Sequence, residues 1–343
     1  MIERSAGIAV SVVALAGCVW WALRQDPPKF PSDAGGWSLV VFAVLLYAAA
    51  TIARGWRWHA ILRHAGIQHR LVDALGVTTV GYMGNTVLPA RGGEVLRIIV
   101  MRDRSSGRRR EILGSIIPER TLDVAALAIL FCTLTLASDD APTGPGAGIV
   151  AAGMVLLGGV ALFVYHRMRV AGHFDAFAAR VRPVARASRL LITPWGLGLW
   201  LLTCAVWLTE GAIFVVVARS IDVHLTLIEG FLSVVLASFF ALIPAAPGYV
   251  GTYDAAVLFA LKAAGVTGSA ALSVTLLFRF VVFVPVTIVG LVLLLTRYGG
   301  LATLRSAERT ADERFVGDDP AVDIGQDLAR ATNGTPVAVS KER

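Results

Sequence analysis

Four arginines lie inside or beside long apolar stretches of the sequence, where a charged side chain needs a partner: Arg91, Arg97, Arg120 and Arg279. A guanidinium group stays protonated and can hold two oxygen atoms at once, which suits a phosphate group. Ionisable groups in apolar surroundings are costly and usually face a partner or water. These arginines therefore predict an anion-binding site or a set of structural ion pairs.

A glycine-containing turn accompanies the first two arginines. Gly92 and Gly93 follow a proline, and we expect the backbone to turn there and to present free N–H groups to an anion. Glu94 comes next, and it either caps the following helix or neutralises Arg91 when no ligand is bound. The alternative for Arg91 and Arg97 is that their side chains extend to a membrane interface without binding a ligand.

Acidic residues accompany the third arginine. Glu119 precedes Arg120 directly, and Asp123 follows three residues later in the segment PERTLD. On a helix this spacing lets Arg120 reach Asp123. The arrangement fits a structural ion-pair lock as well as part of a ligand site, and the sequence leaves both interpretations open.

The fourth arginine, Arg279, has no acidic residue in its own apolar segment, so it needs a carboxylate from elsewhere or an anionic ligand. Asp254 and Glu210 are the candidate partners. A second glycine-containing turn, which ends just before Asp254, carries four further candidates for ligand binding: Gly248, Tyr249, Gly251 and Tyr253. The tyrosines can donate hydrogen bonds to a ligand, although aromatic packing is the simpler explanation for them.

The composition indicates the environment in which these residues act. Of the 343 residues, 56% are hydrophobic and 16% are charged, which is more apolar surface than an ordinary soluble domain can bury. The net charge of +7 comes from basic residues in short segments beside apolar stretches, not from one basic face. The sequence therefore predicts a membrane protein with membrane lipids as its partners, and it argues against nucleic acid as a partner.

The apolar stretches predict an all-α integral membrane protein. Six of them are long enough to cross a bilayer as helices: 8–23, 37–53, 112–136, 148–165, 195–218 and 270–295. Two further regions, 71–101 and 227–264, are apolar but interrupted by proline and glycine, and we expect re-entrant or broken-helix hairpins there. Residues 1–300 then form one polytopic domain, and residues 301–343 form a disordered cytoplasmic tail.

The basic residues predict the orientation. Three arginine-rich segments, 54–70, 102–110 and 167–189, should face the cytoplasm, while the segments 25–36 and 138–146 are poor in arginine and should face outward. Both termini are then cytoplasmic, in a multi-pass protein of the bacterial cytoplasmic (inner) membrane. This pattern requires the region 71–101 to enter and leave the membrane on the same side.

The two interrupted regions belong to a possible repeat over residues 71–136 and 227–296. Each copy has an acidic residue, an apolar helix that ends at a proline, a glycine-containing turn, a short helix and a long span with one arginine. Three crossings separate the copies, so they should have opposite orientations, as in transporters built from inverted repeats. Chance similarity between apolar helices is the alternative.

Three motifs carry a resemblance to a known family. GNTVLPARGGEVLR at 84–97, PERTLD at 118–123 and PAAPGYVGTYDAAV at 244–257 resemble the transmembrane region of lysylphosphatidylglycerol synthases and related stand-alone flippase-like proteins. The resemblance implies a membrane region that flips lipids, with aminoacyl transfer left to a separate soluble domain that we do not expect in the short segment after the last span. The second turn departs from the family pattern PGGxGxxE, because Asp254 stands in the place of the glutamate.

These observations favour a flippase-like protein that translocates an anionic phospholipid or another phosphate-bearing lipid. We expect Arg91, Arg120 and Arg279 to hold the phosphate in turn, with acidic exchange partners that keep binding reversible: Glu94, Glu119, Asp123 and Asp254. A membrane-embedded transferase and a scaffold for a separate lipid-modifying enzyme are the alternatives. The sequence indicates no catalytic residue, cofactor or metal site, because it contains no nucleotide-binding or nucleophile motif and its histidines lie at span edges or in loops. It does not indicate an oligomeric state.

Overall fold

The computed structural model describes residues 26–88, 92–137, 193–241, 247–300 and 302–303, and the regular secondary structure in these ranges is helical. Eight α-helices occur there: α1 Ala34–His64, α2 Leu71–Val87, α3 Gly93–Arg102, α4 Arg109–Ala137, α5 Pro194–Arg219, α6 Leu227–Phe240, α7 Thr252–Ala263 and α8 Gly268–Arg297. A short 3-10 turn, Pro247–Tyr249, lies between α6 and α7. The all-α fold class predicted from the sequence is confirmed for the described ranges.

The helices begin where the sequence supplies capping groups. Asp33 caps α1 by accepting a hydrogen bond of 2.7 Å from the backbone N–H of Gly36. Thr193 caps α5 by accepting one from the N–H of Gly196, and Pro194 occupies the first helical position, where no N–H is needed. Thr226 and Glu229 form a reciprocal capping box at the start of α6. Local sequence therefore determines where these helices start.

Three helices, α1, α5 and α8, are long and apolar enough to cross a membrane. They contain three of the six predicted spans, and α4 is a 29-residue helix over a fourth, 112–136. The predicted spans 8–23 and 148–165 and nearly all of the predicted tail lie outside the described residues. The count of six crossings therefore stays a prediction.

The region 71–101 forms a helical hairpin. Helix α2 ends at Val87, α3 begins at Gly93, and the two pack tightly against each other. A side chain at Gly93 could not fit, because its Cβ atom would lie 1.9 Å from the carbonyl oxygen of Gly81. The helix break predicted for the region 71–101 is therefore present. Its re-entrant position in a membrane stays a prediction.

The two proposed repeats have the same order of elements. Helices of 17, 10 and 29 residues make up α2, α3 and α4, and helices of 14, 12 and 30 residues make up α6, α7 and α8. Arg120 is the twelfth residue of α4, and Arg279 is the twelfth residue of α8. The inverted orientation of the two sets stays a prediction.

One expectation about α1 is wrong. Arg54 and Arg57 belong to a continuous helix that extends to His64, and both are buried, so they do not lie in a cytoplasmic loop. On α1 they separate two apolar cores. One core contains Tyr47 and includes side chains of α5, α7 and α8, and the other contains Trp58 and includes side chains of α2, α3 and α4. The charged residues thus occupy the interior between the cores.

Candidate functional site

Arg57 is at the centre of a buried ionic cluster. Its Nη1 atom donates hydrogen bonds to Asp123 Oδ1 at 2.7 Å and to the hydroxyl of Thr203 at 2.8 Å. Its Nη2 atom lies 3.5 Å from Glu119 Oε1. The Arg57 and Glu119 side chains are fully buried, so this contact between α1, α4 and α5 is made away from solvent. Buried ions are costly without such partners, and here each ion has at least one.

Arg97 attaches the short helix α3 to the same cluster. Its guanidinium group donates to Glu119 Oε2 at 2.8 Å and lies over the Trp58 ring, 4.1 Å from the ring centre. The Trp58 indole N–H donates in turn to Ser115 on α4 at 3.0 Å. Arg97 is 3% exposed, so the structure does not support the alternative in which it extends to an interface.

Arg120 is more accessible than the other two arginines. Its side chain is 34% exposed, and it lies near three carboxylates: Glu94 at 3.4 Å, Asp123 at 3.3 Å and Glu119 at 3.8 Å. Asp123 also accepts a hydrogen bond of 3.3 Å from the indole N–H of Trp207. Arg120 therefore shares its carboxylates with other donors, and a change in its position leaves Glu119 and Asp123 paired.

Arg54 extends the cluster toward α5. It pairs with Glu210 at 2.5 Å, and its guanidinium group lies 5.6 Å from the centre of the Trp207 ring. Four arginines and four carboxylates make up this ionic cluster: Arg54, Arg57, Arg97 and Arg120 with Glu94, Glu119, Asp123 and Glu210. Their formal charges cancel, so the cluster has no excess positive charge to offer an anionic ligand.

Arg279 lies in a second, smaller ion pair. It donates to Asp254 Oδ1 at 2.5 Å and to the carbonyl oxygen of Gly248 at 2.5 Å, and its guanidinium group lies 4.9 Å from the centre of the Phe283 ring. Of the two partners expected from the sequence, Asp254 binds Arg279, whereas Glu210 binds Arg54. The shorter side chain of Asp254 is therefore long enough for this contact.

The second glycine-containing turn depends on positive φ angles, whereas Gly92 in the first turn has a negative φ. Gly248, Tyr249 and Gly251 have φ angles of 66°, 55° and 91°, which glycine adopts most easily, and Gly251 donates its N–H to the Asp254 carboxylate at 3.0 Å. Gly92 has a φ of −56°, so its turn does not depend on glycine. Gly93 donates its N–H to Asn85 Oδ1 at 3.0 Å, so the prediction of a free N–H there is wrong.

A cavity of about 210 Å³ lies where the two helix breaks meet. Asn85 and Thr86 from the end of α2 line it together with Tyr249 from the second break and Tyr253 from the first turn of α7. Arg120 and Asp123 form part of its wall, as do side chains of α1, α5, α6 and α8. The cavity thus connects the accessible edge of the ionic cluster with both interrupted regions of the chain.

The structure brings most of the predicted site residues into two groups. Glu94, Arg97, Glu119, Arg120 and Asp123 belong to the ionic cluster, and Gly248, Tyr249, Gly251, Tyr253, Asp254 and Arg279 lie around the second ion pair. Gly92 and Gly93 lie at the start of α3, and Arg91 is outside the described residues. Within the described ranges, no group of three histidine, cysteine or acidic side chains could hold a metal ion.

Comparison with known proteins gives a family and several relatives. The family model described as lysylphosphatidylglycerol synthase TM region matches residues 6–290. Glycosyltransferase AglD of Haloferax volcanii is 27% identical over 340 residues, covering 83% of this chain and 53% of that protein. A UPF0104 membrane protein of Pyrococcus horikoshii is 25% identical over 125 residues, covering 36% of this chain and 37% of that protein.

A third relative carries a transferase name. Phosphatidylglycerol lysyltransferase of Staphylococcus epidermidis is 25% identical over 126 residues, covering 37% of this chain and 14% of that protein. The chain therefore spans about half or less of the length of these curated relatives.

Proposed function

The chain belongs to the family of the lysylphosphatidylglycerol synthase transmembrane region, and on this premise we propose that it translocates a phosphate-bearing lipid, such as an anionic phospholipid, across the bacterial cytoplasmic membrane. The resemblance carried by the three sequence motifs is confirmed, and the chain is a membrane protein of this family. The observation that carries the proposal is Arg120, a partly exposed arginine in the wall of the cavity between the two helix breaks.

The depth of Arg120 supports this role. It lies eight residues after the start of the predicted span 112–136, which corresponds to about 12 Å along a helix, and a bilayer core is about 30 Å thick. Arg279 is the twelfth residue of α8, as Arg120 is of α4. If the two sets of helices are inverted, both arginines lie near the midplane, where transporters built from inverted repeats bind their substrates.

The sharing of carboxylates makes reversible binding of a phosphate feasible. When Arg120 turns toward a phosphate, Glu119 remains bonded to Arg97, and Asp123 remains bonded to Arg57. Glu94 is partly exposed, so it can be hydrated when its ion pair with Arg120 opens. We therefore propose that the phosphate replaces the carboxylates at Arg120 while the rest of the ionic cluster holds the helices in place.

The second ion pair suggests how the lipid leaves. Arg120 pairs with Glu94 from the short helix of the first set, and Arg279 pairs with Asp254 from the short helix of the second set. We propose that Arg279 receives the phosphate after Arg120, with Asp254 released during the exchange. Tight binding at either arginine would stop transport, and the carboxylates prevent it by competing for the guanidinium group.

Translocation measured in vesicles tests the proposal. The purified chain is reconstituted with fluorescent phosphatidylglycerol, and the lipid that reaches the outer leaflet is quenched with a reagent that does not enter the vesicles. We expect Arg120→Gln to lower the rate at least fivefold, and Arg120→Lys to restore part of it, because lysine keeps the charge but not the planar fork. The matched control is Arg63→Gln, an exposed arginine outside the cluster. A normal rate in Arg120→Gln contradicts the proposal.

A membrane-embedded transferase is the second candidate, because two relatives carry transferase names. A transferase needs a carboxylate that is available as a base, whereas the acidic side chains of the cluster are all paired with arginine. Incubation of the purified chain with lipid and an activated sugar or aminoacyl donor separates the two candidates. A new covalent product in that mixture favours the transferase, and translocation without any donor favours the transporter.

A further inference from the structure

The cavity between the helix breaks has a wall of aromatic rings that phosphate binding does not explain. Six aromatic side chains line it, namely Tyr47, Tyr82, Trp207, Tyr249, Tyr253 and Phe283. A single arginine beside the cavity is enough to hold a phosphate, so the ring faces that line the cavity are available for another part of a ligand. Rings arranged around a small cavity suit a ligand with flat apolar faces or with a positive charge.

Three of the tyrosines have hydroxyl groups available for a ligand. Within the described part of the chain, the hydroxyls of Tyr47, Tyr82 and Tyr253 make no hydrogen bond to the protein. These three hydroxyl oxygens are accessible. Asn85 also lines the cavity, and its side-chain oxygen accepts the hydrogen bond from Gly93, so that bond does not use its NH₂ group. The cavity therefore offers several neutral donors and acceptors on an aromatic surface.

The charges around the cavity argue against a cationic ligand. Asp123 and Glu210 line it, but Asp123 is already bound by Arg57 and Arg120, and Glu210 by Arg54. A cation would therefore meet carboxylates that arginines already neutralise. A polyhydroxylated group has no such requirement, because its hydroxyls bond to tyrosine and amide groups and its C–H faces pack on the rings.

The volume limits the size of the ligand. At roughly 30 Å³ per water molecule, 210 Å³ corresponds to about seven waters, and it is below the range of about 300–1,000 Å³ for drug-sized ligands. The cavity can hold one headgroup but not the acyl or prenyl chains. Aliphatic side chains such as Val124 and Leu127 also line it, and Val124 is 54% exposed, which gives the lipid chains an apolar exit.

We propose that this cavity binds the uncharged polyol part of the lipid headgroup, a sugar ring or a glycerol unit, beside the phosphate held by Arg120. The inference rests on the proposed function, since it identifies the headgroup of the translocated lipid. The tyrosine hydroxyls select a hydroxylated headgroup, and the rings pack against its carbon atoms. A headgroup that carries an ammonium group instead of hydroxyls binds poorly.

Binding of soluble headgroups to the purified full chain tests the inference by titration calorimetry in detergent. The probes are glucose 1-phosphate, glycerol 1-phosphate, phosphocholine and inorganic phosphate. We expect the first two to bind at least tenfold more tightly than the last two, and comparison of glucose 1-phosphate with glycerol 1-phosphate distinguishes a ring from a glycerol unit. Equal or tighter binding of phosphocholine or inorganic phosphate overturns the inference, and so does the absence of binding by all four.

Tyrosine variants locate the binding. The double variant Tyr82→Phe/Tyr253→Phe keeps both rings and removes two hydroxyls, and we expect it to bind polyol phosphates about tenfold more weakly while its affinity for inorganic phosphate is unchanged. Tyr298→Phe is the matched control, because Tyr298 lies against Arg104 and Arg297, away from the cavity. Unchanged polyol binding in the double variant overturns the inference.

The outcome is separable from that of the proposed function. If the chain binds polyol phosphates at this cavity but does not translocate lipid, the proposed transport function is wrong and the proposed polyol site is supported. If the chain translocates phosphatidylglycerol and phosphatidylcholine equally and the tyrosine variants have no effect, the proposed transport function is supported and the proposed polyol site is wrong.

Discussion

At the scale of a single residue, substitution of Arg57 tests whether the ionic cluster stabilises the fold. Its side chain is fully buried and contacts two carboxylates, Asp123 and Glu119. Arg57→Gln leaves these carboxylates with fewer partners, and we expect the free energy of unfolding to fall by about 3–5 kcal/mol. Thermal unfolding of the purified variant in detergent measures this loss.

The same substitution at an exposed position is the control for Arg57. Arg63 lies six residues further along α1 and is exposed, so Arg63→Gln should change the unfolding temperature little. A stable Arg57→Gln chain that has lost lipid translocation would show that Arg57 lies on the lipid path and does not serve as a structural partner.

Arg279 and Asp254 form a pair whose two roles can be separated by a double-mutant cycle. The side chains are 21% and 16% exposed, so this pair is less buried than the pair of Arg57 and Glu119. We expect Arg279→Gln and Asp254→Asn each to destabilise the chain, and the double variant to be less destabilised than the sum, with a coupling energy of about 0.5–3 kcal/mol. Thermal unfolding of all four chains gives this energy.

Translocation by the same four chains then decides the function of Arg279. The phosphate-relay proposal expects every chain without Arg279 to be slow, including the double variant. If the double variant transports at the normal rate, Arg279 has only a structural role.

The sequence predicted the second ion pair better than the ionic cluster. Arg279 was recognisable because it is a lone charge in an apolar segment, and Asp254 was one of two acids close enough to consider. Arg54 and Arg57 were missed, because the hydropathy of their segment falls at Arg54 and the chain there reads as a cytoplasmic loop. Their partners lie 156 and 66 residues away in sequence, so no local pattern indicates the contacts.

One signal was available for these two arginines. They are three residues apart on a helix that also carries Trp58, so they project from neighbouring positions of one face. The apolar segments 112–136 and 195–218 contain three acidic residues, Glu119, Asp123 and Glu210, and one arginine, Arg120. A count of charges inside the apolar segments would therefore have suggested further buried arginines.

At the scale of helices, Gly93 holds the hairpin of α2 and α3 together. A Cβ atom at this position would lie 1.9 Å from the carbonyl oxygen of Gly81 and 2.6 Å from the backbone nitrogen of Asn85. Both are backbone atoms that cannot rotate away, so we expect Gly93→Ala to separate the two helices and to lower the unfolding temperature by several degrees. Thermal unfolding in detergent measures this effect.

A glycine in α4 provides the matched control for the hairpin. Among the described residues outside its own helical turn, Gly114 has no neighbour within 4 Å of the place where a Cβ would stand, so Gly114→Ala should leave stability unchanged or raise it by about 0.5–1 kcal/mol. Equal unfolding temperatures for Gly93→Ala and Gly114→Ala would show that the hairpin tolerates wider packing than its geometry indicates.

The positions of the helix breaks were predictable from the sequence, whereas the structural requirement for glycine at each break was not. Proline and glycine mark both interruptions in the sequence, and the structure has breaks at both places. The sequence alone does not show that Gly248 is needed for its positive φ and Gly93 for a close contact between helices. That difference depends on how α2 and α3 pack, which no local pattern encodes.

At the scale of the whole molecule, the lengths of the first three helices predict its orientation. Helix α1 has 31 residues, about 46 Å, and can cross a core of about 30 Å. Helix α3 has 10 residues, about 15 Å, and cannot cross, and α2 with 17 residues is about 25 Å long. A hairpin that returns to its starting side is therefore the arrangement that keeps the basic segment 102–110 in the cytoplasm.

Labelling of single cysteines in intact cells tests this orientation. The native cysteines Cys18, Cys132 and Cys204 are first replaced, and a cysteine is then introduced by Arg108→Cys or Lys29→Cys, two exposed positions on either side of α1 and its hairpin. A reagent that does not cross the membrane should label Lys29→Cys directly and Arg108→Cys only after the cells are permeabilised. If Arg108→Cys is labelled from outside as fast as Lys29→Cys, the hairpin crosses the membrane and the predicted inversion of the repeats fails with it, because the number of crossings between them changes.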